Sequence, residues 1–179
     1  MSGKNKSYHY FWGGPTTFSQ WLPSKYELEG FEYICAEQGM MHGKALLFND
    51  HSTAEKIMQT SNPKIMKSLG RKVEGFDNKI WEQSREEIVY RNSVAKFTQS
   101  PELMEALISV GSLEIGSVVL VEASPFDRIW GIGMNEKTAR ATPPAQWIGL
   151  NLLGIILTRV RDEALEDKLR KTGVTSQCV

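Results

Sequence analysis

Tyr33-Ile-Cys-Ala-Glu-Gln-Gly-Met-Met-His-Gly-Lys-Ala-Leu-Leu-Phe48 reads as one helix that carries Glu37 and Lys44 on the same side. Seven residues at about 3.6 per turn return to nearly the same azimuth, offset by roughly 20° and separated by roughly 10 Å along the axis. The pair is too far apart for an i,i+4 salt bridge, yet it can converge on a sugar-sized ligand lying between the two side chains. Met41 falls on the same face. Ala36, Gly39 and Gly43 thin the helix where a second backbone, or a ligand, can approach. Each helical glycine costs roughly 1 kcal/mol relative to alanine, so close packing should compensate for it. From spacing alone, a surface acid and a surface lysine on a closely packed helix remain the ordinary reading.

Around this segment the composition is that of a globular domain. The chain has 179 residues, 41% of them hydrophobic and 23% charged, which is enough to bury a core without disulfides or metal. Its formal net charge of zero advertises no global attraction to nucleic acid, although a local basic surface can hide in a neutral total. Cys35 and Cys178 are too few for a disulfide framework. They point to reduced thiols in a cytosolic or nuclear compartment. His9, His42 and His51 lack metal-ligand spacing with cysteine or acid partners, so no metal site is expected. No signal-peptide pattern opens the chain. The longest apolar run, Trp147 to Leu157, is broken by Gly149, Asn151 and Gly154 and is too short to span a bilayer. An intracellular, membrane-free monomer is expected.

Short strands precede the opening helix. Tyr8 to Trp12 is aromatic-rich, and Tyr26-Glu-Leu28 and Phe31-Glu-Tyr33 flank Glu29-Gly30 as a hairpin requires. Helices dominate thereafter. Ser52 and Glu55 form a capping box ahead of Ala54 to Gln59. Asn62-Pro63 starts a helix that Gly70 stops, and Asp77 or Asn78 caps a long one through about Phe97. Ser100-Pro101-Glu102 opens another, ended by Gly111. Val118 to Val121 has the apolar, β-branched pattern of a buried strand. Thr142-Pro-Pro144 opens the last major helix, with Trp147 to Leu157 as the core and the chain fraying beyond Arg161. The expected fold is α+β and predominantly helical: a single domain over residues 8–166 with flexible ends at 1–7 and 167–179. Strands and helices do not alternate, which argues against a parallel βαβ fold.

Two further regions offer chemistry. Trp81, Arg85, Ile88, Asn92 and Ala95 share one stripe of the long helix, so Arg85 and Asn92 fall among apolar residues. Arg85 can hold a phosphate bidentately or pair with a structural acid. Glu122-Ala-Ser-Pro-Phe-Asp127-Arg-Ile-Trp130-Gly-Ile-Gly133 leaves the end of the buried strand, a common place for functional groups. It supplies acids, an aromatic platform, and glycines that serve either an anion contact or a tight turn. Asn151 interrupts the apolar run with an amide that needs partners, as a structural tie or a ligand contact.

Taken in order, these residues resemble the NADAR family, also called YbiA-like. The similarity covers roughly Tyr8 to Leu165 and includes Phe18-Ser-Gln-Trp21, Pro23, Ala36-Glu37-Gln38, Met41 and Lys44-Ala45. It continues through Leu69-Gly-Arg71, Trp81, Arg85, Lys96-Phe97, Leu120-Val-Glu-Ala-Ser124, Asp127, Trp130-Gly-Ile-Gly133 and Gly149-Leu-Asn-Leu-Leu-Gly154. The resemblance implies an N-glycosidase fold acting on ribose joined through C1 to an amine nitrogen, with no cofactor. Two activities are associated with the family: hydrolysis of phosphoribosyl-pyrimidine intermediates of riboflavin synthesis, and removal of ADP-ribose from guanine in DNA or RNA. Gln38 stands where the family often has histidine, and Gln20 where it often has asparagine.

Carried onto this chain, the resemblance makes Lys44 a nucleophile, Glu37 a proton shuttle and Asp127 a group that positions a ribose hydroxyl or water. Trp81 and Trp130 become aromatic walls. Arg71, Arg85 and the Gly131–Gly133 backbone become phosphate contacts, and Phe18, Ser19, Gln20, Trp21 and Asn151 further substrate contacts. The preferred substrate is ADP-ribosylated guanine in nucleic acid, with Lys64, Lys67, Arg71 and Lys72 as a possible local basic surface. The alternatives are the riboflavin intermediates or an ADP-ribose-binding module without turnover.

Overall fold

The structure, a computed structural model, describes residues 6–13, 16–111 and 118–172. The elements are β1 (Ser7–Phe11), β2 (Tyr26–Leu28), β3 (Phe31–Tyr33), α1 (Ala36–Leu47), α2 (His51–Gln59), α3 (Pro63–Gly70) and α4 (Asn78–Thr98). They continue with α5 (Pro101–Ile108), β4 (Val118–Glu122), α6 (Glu136–Arg140), a 3-10 turn at Pro144–Gln146, and α7 (Leu152–Thr172). The helix-rich α+β class follows the sequence. Two compact units divide these elements: Gly14–Leu103, and Met1–Gly13 together with Met104–Val179.

In the Gly14–Leu103 unit, α1 packs against α2, α3 and α4. It opens later than the sequence suggests, because Tyr33 belongs to β3. There it pairs antiparallel with Tyr26 across a turn at Glu29 and Gly30, both at positive φ. Burial reaches almost around α1, taking in Ala36, Met40, Met41 and Ala45 together with the polar Glu37, Gln38 and His42. The opening segment therefore forms the middle of this unit rather than a surface helix. Gly39 makes that closeness possible, since a Cβ there would lie 1.8 Å from Asn92 Oδ1 and 2.3 Å from the Tyr26 hydroxyl.

Caps confirm most helix starts and correct one. Asn62 Oδ1 accepts from Lys64 N ahead of Pro63, and Asp77 Oδ1 accepts from Ile80 N. The Ser52 capping box does not form, because α2 begins earlier, with Asp50 as its cap. One Asp50 carboxylate oxygen accepts from Thr53 N at 3.0 Å and the other from Glu74 N at 2.9 Å. The same side chain thus starts α2 and anchors the chain after α3.

In the second unit, β1 and β4 pair in parallel, with Ser7 opposite Val118 and Phe11 opposite Glu122. They are parallel without the alternating helices of a βαβ fold. Side chains of α7 and of the turn before it bond β4 where another strand would lie. Thr158 Oγ1 accepts from Leu120 N, and the fully buried Arg161 donates to Val118 O.

The helix expected from Thr142-Pro-Pro144 through Trp147 does not form; α7 opens only at Leu152. The preceding amides are committed elsewhere, with Leu150 N donating to Arg128 O and Asn151 N to Gly131 O. The first amides of α7, from Leu152 and Leu153, donate to Ile129 O and Trp130 O. Asn151 itself sits at φ 55°, outside the helical region. Toward the other end, the tail expected from residue 167 is helical to Thr172; residues 173–179, with Cys178, lie outside the described residues. Among the described residues no helix is long and apolar enough to cross a membrane.

Candidate active site

Lys44, near the end of α1, is half-buried, and its Nζ donates to Gly70 O at 2.7 Å. The ammonium lies 4.1 Å from the centre of the Phe76 ring and 5.4 Å from that of Trp81. Removal from water pushes its pKa below the ordinary lysine value. Gly70 can present its carbonyl here because α3 ends against α1; a Cβ at that position would sit 2.1 Å from Met41 Sδ. Arg71 follows as the exposed cap of α3.

Glu37, in the first turn of the same helix, is only 3% exposed, which excludes the surface-acid reading. Its backbone N–H, one of the amides a helix start leaves without an internal partner, donates to Gln20 O at 2.9 Å. On α4, Trp81 and Arg85 are both buried. Arg85 Nη1 lies 3.9 Å from Glu82, and Arg85 Nε has no hydrogen-bond partner among the described residues. A buried guanidinium with an unspent donor is suited to an anionic ligand.

The Phe18–Trp21 segment is held by a buried lysine of α4. Lys96 is 2% exposed, and its Nζ donates to Thr17 O and Ser19 O at 3.0 Å each. Ser19 Oγ in turn accepts from Trp21 N. One buried ammonium thus shapes the loop whose next carbonyl receives Glu37. Burial pulls the Lys96 pKa from the ordinary 10.5 to about 8. Between those values the unfolded chain holds the proton and the folded protein does not, so this group makes stability rise with pH across that window. Urea midpoints measured from pH 8 to 10 should show the rise in the native protein, and Lys96→Met should remove that component.

Other buried polar groups serve architecture. Gln38 accepts from Ile34 N and donates to Ile57 O at 3.1 Å, with Met58 O and Thr60 O at 3.4 Å. Gln38 is thus a tie between α1 and the end of α2. Asn92 accepts from the Tyr26 hydroxyl at 2.7 Å and donates to Ile88 O. The His42 Nδ1 is 2.8 Å from the Tyr33 hydroxyl.

Asp127, Trp130, Gly131, Gly133 and Asn151 belong to the second unit. One Asp127 carboxylate oxygen accepts from Ile129 N and Trp130 N, while Ser124 Oγ accepts from Asp127 N, so the loop is a tightly bonded turn. Two of the expected ligand contacts are hydrogen-bonded within this unit. Gly133 N donates to Asp127 O at 3.0 Å, so this amide closes the turn instead of facing an anion. Asn151 accepts from Glu122 N at 2.9 Å and donates to Leu120 O at 3.0 Å, which commits its amide to β4 rather than to a ligand. At Gly131 a Cβ would lie 2.8 Å from Glu122 O, so packing accounts for the glycine. Among the described residues no cluster of three or more His, Cys, Asp or Glu could hold a metal ion.

Residues 10–165 match the sequence profile of the NADAR domain. The chain belongs to the NADAR family. This NADAR chain is 43% identical over 155 residues to N-glycosidase R617 of Acanthamoeba polyphaga mimivirus, covering 84% of its own length and 88% of that protein. It is 34% identical over 176 residues to protein irg-1 of Caenorhabditis elegans, covering 89% and 81% respectively. Its fold resembles the NMR structure of E. coli YbiA with a TM-score of 0.72, at 24% identity over 92% of this chain and 89% of that one. The NADAR match runs across both compact units. Phe76 and Gly70 escaped the sequence reading as parts of the Lys44 environment, because neither shares a helical face or motif with Lys44. Lys96, buried on α4, could have been flagged by its position beside Phe97 on a stripe with Val89 and Asn92.

Proposed function

We propose that this NADAR protein is an N-glycosidase that hydrolyses the bond between ribose C1 and an amine nitrogen, with ADP-ribose on guanine of nucleic acid as the substrate. The observation that carries the reading is Lys44: a half-buried lysine, held between a carbonyl and two aromatic faces, on the helix that also buries Glu37. N-glycosidase chemistry is further supported by family membership and by the 43% identity to N-glycosidase R617.

In this reading the neutral Nζ of Lys44 gives its lone pair to C1 as the C1–N bond breaks, and the departing nitrogen keeps that electron pair and takes a proton. Nζ loses a proton, with Glu37 as the carrier. The C1–O bond of the ribose ring then opens, its oxygen takes a proton, and an iminium joins C1 to Nζ. Water adds to the iminium carbon, the lysine departs with its electron pair, and the released sugar recloses. Arg85, with an unspent buried donor, and the exposed Arg71 suit the diphosphate. The stretch Lys64 to Lys72 has four cations and no acid, which favours an anionic polymer over a small monophosphate.

Side-by-side turnover of a DNA oligonucleotide carrying ADP-ribosylated guanine and of the phosphoribosyl-pyrimidine intermediate tests the assignment. Release of unmodified guanine-containing DNA with the larger kcat/KM is expected. Preference for the pyrimidine would move the substrate to riboflavin synthesis, and ADP-ribose binding without turnover of either would make the protein a binding module.

A further inference from the structure

We propose that Phe76 is part of the chemical machinery: its ring face stabilises the positive charge that returns to the Lys44 nitrogen when the lysine becomes bonded to the sugar. This rests on the covalent reading of Lys44 given above. Phe76 is 44% exposed, so core packing does not account for a large aromatic there. Its position is nevertheless built. Glu74 N is held by Asp50 Oδ2, Gly75 turns the chain at φ 66°, Asp77 caps α4, and the Phe48 ring meets Phe76 edge-on at 5.3 Å. These anchors on either side leave the ring over Lys44 Nζ at 4.1 Å, nearer than Trp81. A cation above a ring face is attracted by the ring quadrupole, and more so when partly removed from water.

The charge at Nζ has a definite history through the reaction. It is present in the resting ammonium, absent in the neutral amine that attacks, and present again in the C1 adduct and the iminium. The Phe76 face therefore favours the bonded states over the free amine, and favours the resting ammonium by a similar amount. Above the Lys44 pKa the first effect accelerates bond formation. Below it, the ammonium and the bonded state gain together, and the effect cancels.

The test is the pH–rate profile for base release from the ADP-ribosylated oligonucleotide, using native protein, Phe76→Leu, and full-length protein with mono-, di- and trifluorinated phenylalanine at position 76. Fluorination drains the ring face while leaving its shape nearly unchanged. The high-pH plateau of kcat should fall stepwise with fluorination and about fivefold in Phe76→Leu, KM should stay within about twofold, and the acid limbs should nearly superimpose. An NMR titration of Lys44 should show its pKa falling along the same series. A plateau indifferent to fluorination, with borohydride still trapping a Lys44 adduct, overturns the role of Phe76 and leaves the covalent reading intact. If borohydride traps no Lys44 adduct in the native protein with either this oligonucleotide or the phosphoribosyl-pyrimidine, the covalent reading falls and takes this inference with it.

Discussion

Replacing Lys44 with alanine is expected to slow base release by about 10³-fold or more, because it removes the atom that attacks the sugar. Lys44→Arg separates the two roles the position could have. Arginine keeps the cation over Phe76 and Trp81 but stays protonated in proteins, so it cannot act as a nucleophile. If the nitrogen forms the bond, Lys44→Arg is as slow as Lys44→Ala, and borohydride traps an adduct only in the native protein. If arginine restores most of the rate, Lys44 acts electrostatically and water attacks directly. The pH dependence has a definite sign. Reaction needs the neutral amine, so the rate rises with pH through the Lys44 pKa. Burial lowers that pKa, and the rise should level off below the pH at which an ordinary lysine loses its proton.

Gly149→Ala is expected to cause a large loss of stability. A Cβ there would lie 2.3 Å from Gly131 O, 2.6 Å from the Ile132 carbonyl carbon and 2.9 Å from Gly133 N. All three are backbone atoms, so no side chain can rotate away to relieve the clash. The two segments must separate, which weakens the bonds from Leu150 and Asn151 to Arg128 O and Gly131 O and from Leu152 and Leu153 to the carbonyls between them. Overpacking together with strained hydrogen bonds should cost about 3 kcal/mol. For a protein of this size that corresponds to a melting temperature lower by about 6–12 °C. Thermal unfolding followed by circular dichroism reads it directly, and an unchanged midpoint would mean that the segments yield without cost.

Local signals in the sequence were dependable where one residue decides the outcome. Asn62-Pro63, Asp77 and Glu29-Gly30 produced the predicted cap, cap and turn, because each acts on amides or dihedrals within a few residues of itself. The reading failed where backbone groups found distant partners. Ser52 lost its capping role to Asp50, which also reaches Glu74, and the apolar run at Trp147 gave up helix for bonds to the 128–131 segment. Asn151 and Gly133 show the same limit at the level of function. Their residue types fit a ligand site, but their hydrogen bonds are spent on β4 and on the Asp127 turn.

By itself, the sequence determined the helix-rich α+β class, the family, and the placement of Glu37 and Lys44 on one helix, since periodicity and ordered motifs are properties of the chain. Only the tertiary structure decided what surrounds that helix. Glu37 is buried rather than solvated, Gln20 receives its amide, Lys96 shapes the segment that supplies Gln20, and Gly70 and Phe76 enclose the Lys44 nitrogen. These relations join residues 17 to 79 positions apart, and desolvation and hydrogen bonding depend on distance in space, which the order of residues does not encode.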